Sequence, residues 1–338
     1  MDRASAMVRR VTTIRDVAER AGVSRQTVSR AINDKGEISP ETRARVLEIA
    51  REMGYWPNRL ARGLRTQRTQ TIGLVVPDIA NPFFAEVARG ASEVAYGEGY
   101  SVVLSNTNEQ PDREQQALRT LASHQVDGLL LVSSRLDEDQ LEEAAKRWRP
   151  MVLVNRRISA IPGVASVMVD DVAAAVEAVR YLASTGRSPI TFLSGLPGSR
   201  SGAARREGFT KASAEEGLAD ATSVYCAPTF EGGLQAAMGV LRGQPKPGAL
   251  LAYNDLVALG ALEACRRSGV AVPEDCAVVG WDDVIFAAYV WPSLTTVRQP
   301  KSELGARAML TLLSLINDPD TAPATVQMRA ELVVRGSA

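Results

Sequence analysis

Residues 13–33 read TIRDVAERAGVSRQTVSRAIN, a pattern typical of two short helices joined by a tight turn. Thr13 and Asp16 predict a capping box at the start of the first helix, whose apolar residues then recur at helical spacing. Gly22 has the backbone freedom needed to leave that helix. Ser24 can cap the helix that follows. We therefore predict a helix-turn-helix unit.

The second helix of this unit turns apolar residues inward and polar residues outward. Arg can bridge O6 and N7 of guanine, and Gln can bridge N6 and N7 of adenine. A helix-turn-helix presents such residues to base edges in the major groove. A small helical hairpin with a solvated polar face is the alternative interpretation. If the helix reads DNA, the candidate residues are Ser24, Arg25, Gln26, Thr27, Ser29 and Arg30.

A third helix is predicted after a second turn. Ser39 can cap this helix, and Pro40 is favoured as its first residue. The negative charge of Glu41 suits the positive end of the helix dipole. Gly54 is a natural end for this helix. Three short helices would enclose one small core, so we place an all-α headpiece at residues 11–55.

The next segment, residues 56–70, is basic and carries weaker helix signals. Pro57 breaks the preceding element, and Asn58 can cap a helix too short to be stable alone. One interpretation is a charged linker. The other is a hinge that becomes helical against DNA and a second copy of itself, with a leucine wedged between base steps in the minor groove.

Charge is unevenly distributed along the chain. The 338 residues carry 39 basic and 39 acidic side chains, so the formal net charge is zero. Residues 1–68 contain 15 Lys and Arg against 8 Asp and Glu, a net of +7 that the remaining residues balance with −7. A basic segment attached to an acidic body predicts contact with phosphates.

From residue 71 onward, buried strands alternate with helices in two successive series. This alternation predicts an α/β fold with doubly wound parallel sheets. Two series indicate two similar lobes, which together form the body at residues 71–338. Ligands of such sheets bind at the carboxyl ends of the strands, so two facing lobes would form a ligand cleft.

Residues for catalysis are scarce. His124 is the single histidine, so a Ser-His-Asp triad or a histidine metal site would have to rest on it. The glycine-rich segment 195–202 lacks the lysine of a Walker A loop. Cys226, Cys265 and Cys276 form no C-x-x-C pair and predict buried, reduced thiols. We expect no enzyme activity, no catalytic residue, no metal site and no cofactor.

The chain resembles the LacI family of bacterial transcription regulators from about Val11 to Arg335. A single matching motif would be weak evidence, whereas an ordered set of them is specific. The motifs are IRDVAERAGVS at 14–24, TVSR at 27–30, GYWPN at 54–58, TIGLVVPD at 71–78, NPFF at 81–84, DGLL at 127–130, YND at 253–255, GWDD at 280–283 and PSLTTV at 292–297.

The resemblance implies a headpiece, a hinge helix and an effector domain similar to periplasmic sugar-binding proteins. Arg25 and Gln26 occupy the positions that set operator preference in the family. The leucine that enters the minor groove corresponds to Leu64, and the candidate hinge residues are Asn58, Arg59, Ala61 and Leu64. The implied first lobe spans about 71–168 and 298–322, and the second spans about 169–297 and 323–335.

Effector positions are also implied by the resemblance. The polar members supply hydrogen-bond donors and acceptors and the phenylalanines supply flat apolar faces, a combination that suits a sugar and would also fit a nucleoside or purine. Asn155 stands where several sugar-responsive members have an acid, which alters the expected hydroxyl pattern. The six candidates are Phe84, Asn155, Arg205, Phe230, Asn254 and Asp282.

We expect a sequence-specific repressor of a sugar-uptake or catabolism operon, cytoplasmic and nucleoid-associated, without a membrane segment. Its expected partners are a second copy of the chain, a pseudo-palindromic double-stranded operator and a small-molecule effector, most simply a sugar. The alternatives are a corepressor-dependent regulator that responds to a nucleoside or purine, and a solute-binding protein with a helical appendage.

Overall fold

The computed structural model describes residues 12–32, 36, 38–55, 68–318, 321–322 and 324–338. The chain separates into two compact units, Met1–Thr69 and Gln70–Ala338. No helix within the described residues is long and apolar enough to cross a membrane.

Within its described residues, the first unit contains three helices: α1 (Ile14–Ala21), α2 (Arg25–Ile32) and α3 (Pro40–Glu52). The predicted capping box is present at α1, where the backbone N–H of Thr13 donates to Asp16 Oδ2 at 2.8 Å. Gly22 ends this helix in the left-handed conformation, with φ of +65°. The three helices share one small core that includes Val17, Val28 and Val46.

The second unit contains twelve strands and eight α-helices within the described residues. Its first half comprises β1 (Thr71–Val76), α4 (Pro82–Gly97), β2 (Ser101–Asn106), α5 (Pro111–Ser123), β3 (Gly128–Val132), α6 (Glu138–Arg147), β4 (Met151–Val154) and β5 (Val164–Val169). Its remainder comprises α7 (Asp171–Ser184), β6 (Ile190–Ser194), α8 (Arg200–Glu215), β7 (Thr222–Tyr225), α9 (Phe230–Arg242), β8 (Ala249–Ala252), α10 (Asp255–Arg267), β9 (Ala277–Asp282), β10 (Thr295–Arg298), α11 (Lys301–Asn317), β11 (Thr325–Met328) and β12 (Glu331–Val333).

Two six-stranded sheets define the lobes and confirm the predicted α/β architecture. The first lobe has strand order β11-β5-β4-β3-β1-β2, and the second has β12-β10-β9-β8-β6-β7. All pairings are parallel except that between β10 and β12. Parallel sheets are stable when helices cover both faces, and the central strands here are accordingly continuous runs of buried apolar residues.

The placement of β11 corrects the predicted boundary of the second lobe. The sequence expectation puts residue 323 onward in that lobe, but β11 pairs in parallel with β5 of the first sheet. The N–H of Ser166 donates to the carbonyl of Ala324, and the N–H of Asp170 donates to that of Met328. These pairings satisfy backbone groups at the edge of the first sheet. After α11, the chain therefore returns to the second sheet only at β12.

Helix α11 belongs to the first lobe, where Leu304 and Leu312 join the core built around β1. It lies against α4 so closely that a Cβ on Gly305 would be 2.0 Å from the carbonyl oxygen of Val87. Because α11 follows β10 of the second sheet, the chain crosses between lobes three times, at residue 170, at 299–300 and at 329–330.

Candidate functional site

Helix α2 is held by its cap and its inner face. The N–H of Thr27 donates to Ser24 Oγ at 3.1 Å, and the two hydroxyl oxygens lie 2.9 Å apart. Val28 and Ala31 are fully buried in the headpiece core. This confirms the predicted cap and fixes which side of the helix faces outward.

The outer side of α2 carries the remaining major-groove candidates. Arg25 and Gln26 are exposed in the first turn, whereas Ser29 and Arg30 are half-buried. An exposed guanidinium next to an exposed carboxamide offers both kinds of hydrogen-bonding group that read purine edges. The four hinge candidates, Asn58, Arg59, Ala61 and Leu64, lie outside the described residues.

Side chains from both lobes of the second unit meet at a cavity, which we call the cleft cavity. Five of the six predicted effector residues line it: Phe84, Asn155, Arg205, Asn254 and Asp282. Asn155, Asn254 and Asp282 stand at the carboxyl ends of β4, β8 and β9, the edge at which ligands of parallel sheets bind. The cleft cavity is only about 20 Å³ in volume.

Phe230 is the candidate that the structure does not bring to the cleft cavity. It is the first residue of α9, directly after the capping residue Thr229, and it is 36% exposed. The cap fixes the start of the helix through the bond from the N–H of Gly232 to Thr229 Oγ1.

Arg205 is the most heavily contacted polar residue of the cleft cavity. Its Nε donates to Asp171 Oδ1 at 3.0 Å and its Nη1 donates to the carbonyl oxygen of Tyr253 at 2.5 Å. The guanidinium carbon lies 4.9 Å from the ring centre of Tyr253 and 4.4 Å from that of Trp281. Burial is the strongest influence on the pKa of Arg205 and lowers it, but Asp171, Tyr253 and Asp282 together outweigh burial and the net shift is upward.

Asp282 links the cleft cavity to a lobe crossing. Burial raises the pKa of its carboxyl to about 7, against the opposing effect of Arg205. Its Oδ1 accepts a hydrogen bond of 2.7 Å from Nε2 of Gln299, which lies in the second crossing. Lys301 Nζ, at the start of α11, donates to the backbone carbonyls of Asp282 and Asp283 at 2.6 and 2.8 Å. A ligand that contacts Asp282 therefore acts on a side chain tied to the segment that joins the lobes.

The two asparagines are oriented by the backbone around them. Asn254 caps α10 by accepting from the N–H of Val257 at 2.9 Å, and its Nδ2 donates to the carbonyl of Pro228 at 3.1 Å. Asn155 has φ of +54° and accepts from the N–H of Val169 at 3.2 Å. Both carboxamides are thus held in one orientation before any ligand arrives.

Sequence reasoning missed other residues that line the cleft cavity. Asn81 and Tyr253 lie in two of the motifs quoted above, so a signal for them existed. Glu109 and Ser133 also line the cavity, but they lie in none of those motifs. Glu109 is positioned by an ion pair with Arg135, 26 residues further along the chain, and no local pattern indicates that contact.

Comparison with known proteins identifies the architecture. Residues 13–58 match the family described as bacterial regulatory proteins, lacI family. Residues 69–335 match periplasmic binding proteins and the sugar binding domain of the LacI family. The chain belongs to the LacI family. As a member of this family, the protein is a DNA-binding transcriptional regulator with a ligand-binding domain.

Similar LacI-family proteins align along nearly the whole chain. Catabolite control protein A of Priestia megaterium is 36% identical over 328 residues, which cover 96% of this chain and 98% of that protein. The lac repressor dimer bound to operator and the anti-inducer ONPF is 28% identical, with a TM-score of 0.84, covering 97% of this chain and 99% of that one. A complex of the transcriptional regulator CelR with cellobiose is 32% identical, with a TM-score of 0.71 and coverages of 97% and 100%.

Proposed function

We propose that this LacI-family chain is a repressor that binds a pseudo-palindromic operator as a homodimer and that a small sugar in the cleft cavity controls its affinity for the operator. The observation that carries the proposal is the convergence of Asn155 and Phe84 from the first lobe with Arg205, Asn254 and Asp282 from the second. A ligand that contacts all of them acts on both lobes at once.

A sugar suits the chemistry of the cleft cavity. Fixed carboxamides and a carboxyl group offer donors and acceptors for hydroxyl groups, and the Phe83–Phe84 pair, 5.1 Å between ring centres, offers apolar surface. The solved CelR complex contains cellobiose, a sugar. A nucleoside or purine remains the alternative effector, and its aromatic base would use the same donors.

The small size of the cleft cavity supports coupling between ligand and DNA. A volume of about 20 Å³ holds about one water molecule, far less than a sugar ring. A sugar therefore enters only if the lobes or their lining side chains move apart. A ligand that binds one arrangement better than the other shifts the equilibrium towards that arrangement, which is the requirement for allosteric control.

Operator reading is tested by selecting a duplex from a random pool and measuring its affinity by fluorescence anisotropy. We expect Arg25→Ala to weaken binding to the selected duplex by about 1–3 kcal/mol and to change scrambled DNA much less, because a base contact is lost. Arg51→Ala, the same charge change in the last turn of α3, is the matched control. Weak binding to every duplex, independent of sequence, contradicts the proposal.

The effector is tested by a thermal-shift screen of sugars and nucleosides, followed by operator titrations with each hit. A cleft ligand raises the melting temperature because it binds only the folded chain. We expect Asp282→Asn to abolish the response to the hit and to leave operator binding intact. Asp139→Asn, an exposed position in α6, should change neither. An unchanged response in Asp282→Asn removes this residue from the effector site.

A further inference from the structure

A second and larger cavity lies beside the cleft cavity, and we call it the arginine cavity. Its volume is about 630 Å³, and it shares Asn155 and Ser201 with the cleft cavity. It is lined by the segment after β4 and by the first residues of α7 and α8, so it also draws on both lobes. Of its other walls, only Asp171 and Val169 enter the contacts described above for the cleft cavity, through Arg205 and Asn155.

Three arginines line the arginine cavity: Arg156, Arg157 and Arg200. Arg156 is only 3% exposed, and its Nη2 donates to the carbonyl of Leu136 at 2.8 Å. Its Nε is buried and has no hydrogen-bond partner. A buried donor without an acceptor is unfavourable, so this guanidinium lacks a partner that a ligand in the cavity could supply.

The charge around Arg156 favours an anionic partner. Burial, together with repulsion from Arg200, lowers the pKa of Arg156 to about 10. Arg157 is exposed and has no ion-pair partner within the described part of the chain. An anion between these three cations would relieve the repulsion and satisfy the orphaned donor together.

The carboxylates of the arginine cavity are already engaged. Asp171 accepts from Arg205 within the buried pair described above. Asp170 caps α7 by accepting from the N–H of Ala173 at 3.0 Å. Glu138 accepts from Arg200 Nη2 at 2.8 Å, but both side chains are more than half exposed, so this pair is easily exchanged. Only Glu138 competes directly with an anion.

We propose that the arginine cavity is a phosphate subsite. The planar guanidinium fork matches phosphate oxygens, and three arginines offer more donors than one phosphate can accept. The phosphate is either free inorganic phosphate or the ester group of a sugar whose ring lies in the cleft cavity. The inference rests on the proposed function only in taking that neighbouring cavity as the effector site.

Isothermal titration of the full chain with inorganic phosphate, against potassium chloride at equal ionic strength, tests the subsite. We expect Arg157→Ala and Arg200→Ala each to weaken phosphate binding by about three- to tenfold, because each removes one charge-assisted contact. Arg180→Ala is the matched control, since Arg180 is equally exposed and forms a similar ion pair with Glu215. Arg156→Gln should weaken binding most, and the two exposed variants carry the test if that variant does not fold.

Two further measurements sharpen the test. Glu138→Gln removes the competing carboxylate, so it should tighten phosphate binding by about two- to fivefold. Titrations with ribose and ribose 5-phosphate, and with glucose and glucose 6-phosphate, distinguish a sugar phosphate from free phosphate as the ligand. An ester that binds more tightly than both the sugar and free phosphate assigns the bound phosphate to the effector. Equal affinity for the ester and for free phosphate assigns the subsite to the free ion.

The proposal is overturned if phosphate binding is undetectable at millimolar concentration, or if Arg157→Ala, Arg200→Ala and Arg180→Ala bind phosphate equally. Operator binding is measured in parallel on the same preparations. Absence of sequence-specific operator binding would contradict the proposed function and leave the phosphate result standing, so the two failures are distinguishable.

Discussion

Replacing Arg205 by methionine should expose how much the buried Arg205–Asp171 pair contributes to stability. Both side chains are 95% buried, so Asp171 without its partner must either stay charged in the core or take up a proton. Proton uptake costs about 1.36 kcal/mol for each pH unit above the ordinary aspartate pKa of about 3.9. The part of the loss in free energy of unfolding that comes from the unpaired Asp171 carboxyl is therefore limited to about 4 kcal/mol at pH 7 and about 1.5 kcal/mol at pH 5.

The sign of the pH dependence follows from linkage. Burial already raises the pKa of Asp171 in the native protein, and removal of the arginine raises it further. The folded variant then binds more protons than the unfolded chain, so its stability falls as the pH rises above about 4. Methionine approximates the length of the arginine stem and continues to pack between Tyr253 and Trp281.

Urea unfolding of the full chain at pH 5, 6, 7 and 8 measures this effect. Far-UV circular dichroism reports the fold, and tryptophan fluorescence reports the surroundings of the four tryptophans, one of which, Trp281, lies beside the pair. The double variant Arg205→Met/Asp171→Asn removes the carboxyl of Asp171, so its loss should be smaller and its pH slope shallower than in the single variant. The slope that remains comes from Asp282, whose pKa Arg205 also lowers. Arg180→Met, on the exposed face of α7, should change stability by less than about 1 kcal/mol.

The reasoning fails if Arg205→Met is destabilised equally at pH 5 and pH 7. It also fails if the double variant keeps the full pH slope of the single variant, because the difference between the two slopes is assigned to the carboxyl of Asp171.

Three other predictions follow from single contacts. Effector affinity, measured by titration calorimetry, should rise between pH 6 and pH 8. The pKa of Asp282 is near 7, so its carboxyl is protonated below that range and accepts hydrogen bonds from ligand hydroxyls above it. Asp282→Asn should show no such rise. Ser24→Ala should lower the thermal stability of the headpiece by about 1 kcal/mol, through loss of the α2 cap, and weaken operator binding in anisotropy titrations. Gly305→Ala should lower the free energy of unfolding, measured in urea, by about 1–3 kcal/mol or more, because the added Cβ would lie 2.0 Å from the carbonyl oxygen of Val87. Gly239→Ala, in open space within α9, should raise it by up to about 1 kcal/mol.

The headpiece is largely readable from sequence because its signals act over a few residues. The capping box of Thr13 and Asp16, the caps at Ser24 and Ser39 and the left-handed Gly22 were all predicted, and each is present. A cap involves groups three residues apart, so no tertiary information is needed to recognise it. The assignment of the hinge residues Asn58, Arg59, Ala61 and Leu64 stays a prediction.

The cleft cavity was readable only in part. Asn254 and Asp282 lie in short motifs at strand ends, where the alternation of strands and helices already indicates a ligand edge. The partners that orient them, such as Gln299 for Asp282, are not adjacent to those motifs. Phe230 shows the limit of matching positions to a family, because its side chain, 36% exposed at the start of α9, does not line the cleft cavity.

Local propensity and periodicity thus establish three headpiece helices, an alternating α/β body and the strand ends at which ligands bind. Tertiary structure alone decides that β11 completes the first sheet, where Thr325 pairs with Ser166, 159 residues earlier in the chain. It also decides that Arg156 is buried with an Nε that has no hydrogen-bond partner. The physical reason is the same in both cases. Hydrogen bonds and charges between distant residues are settled by which groups packing brings together, and no local pattern encodes that choice.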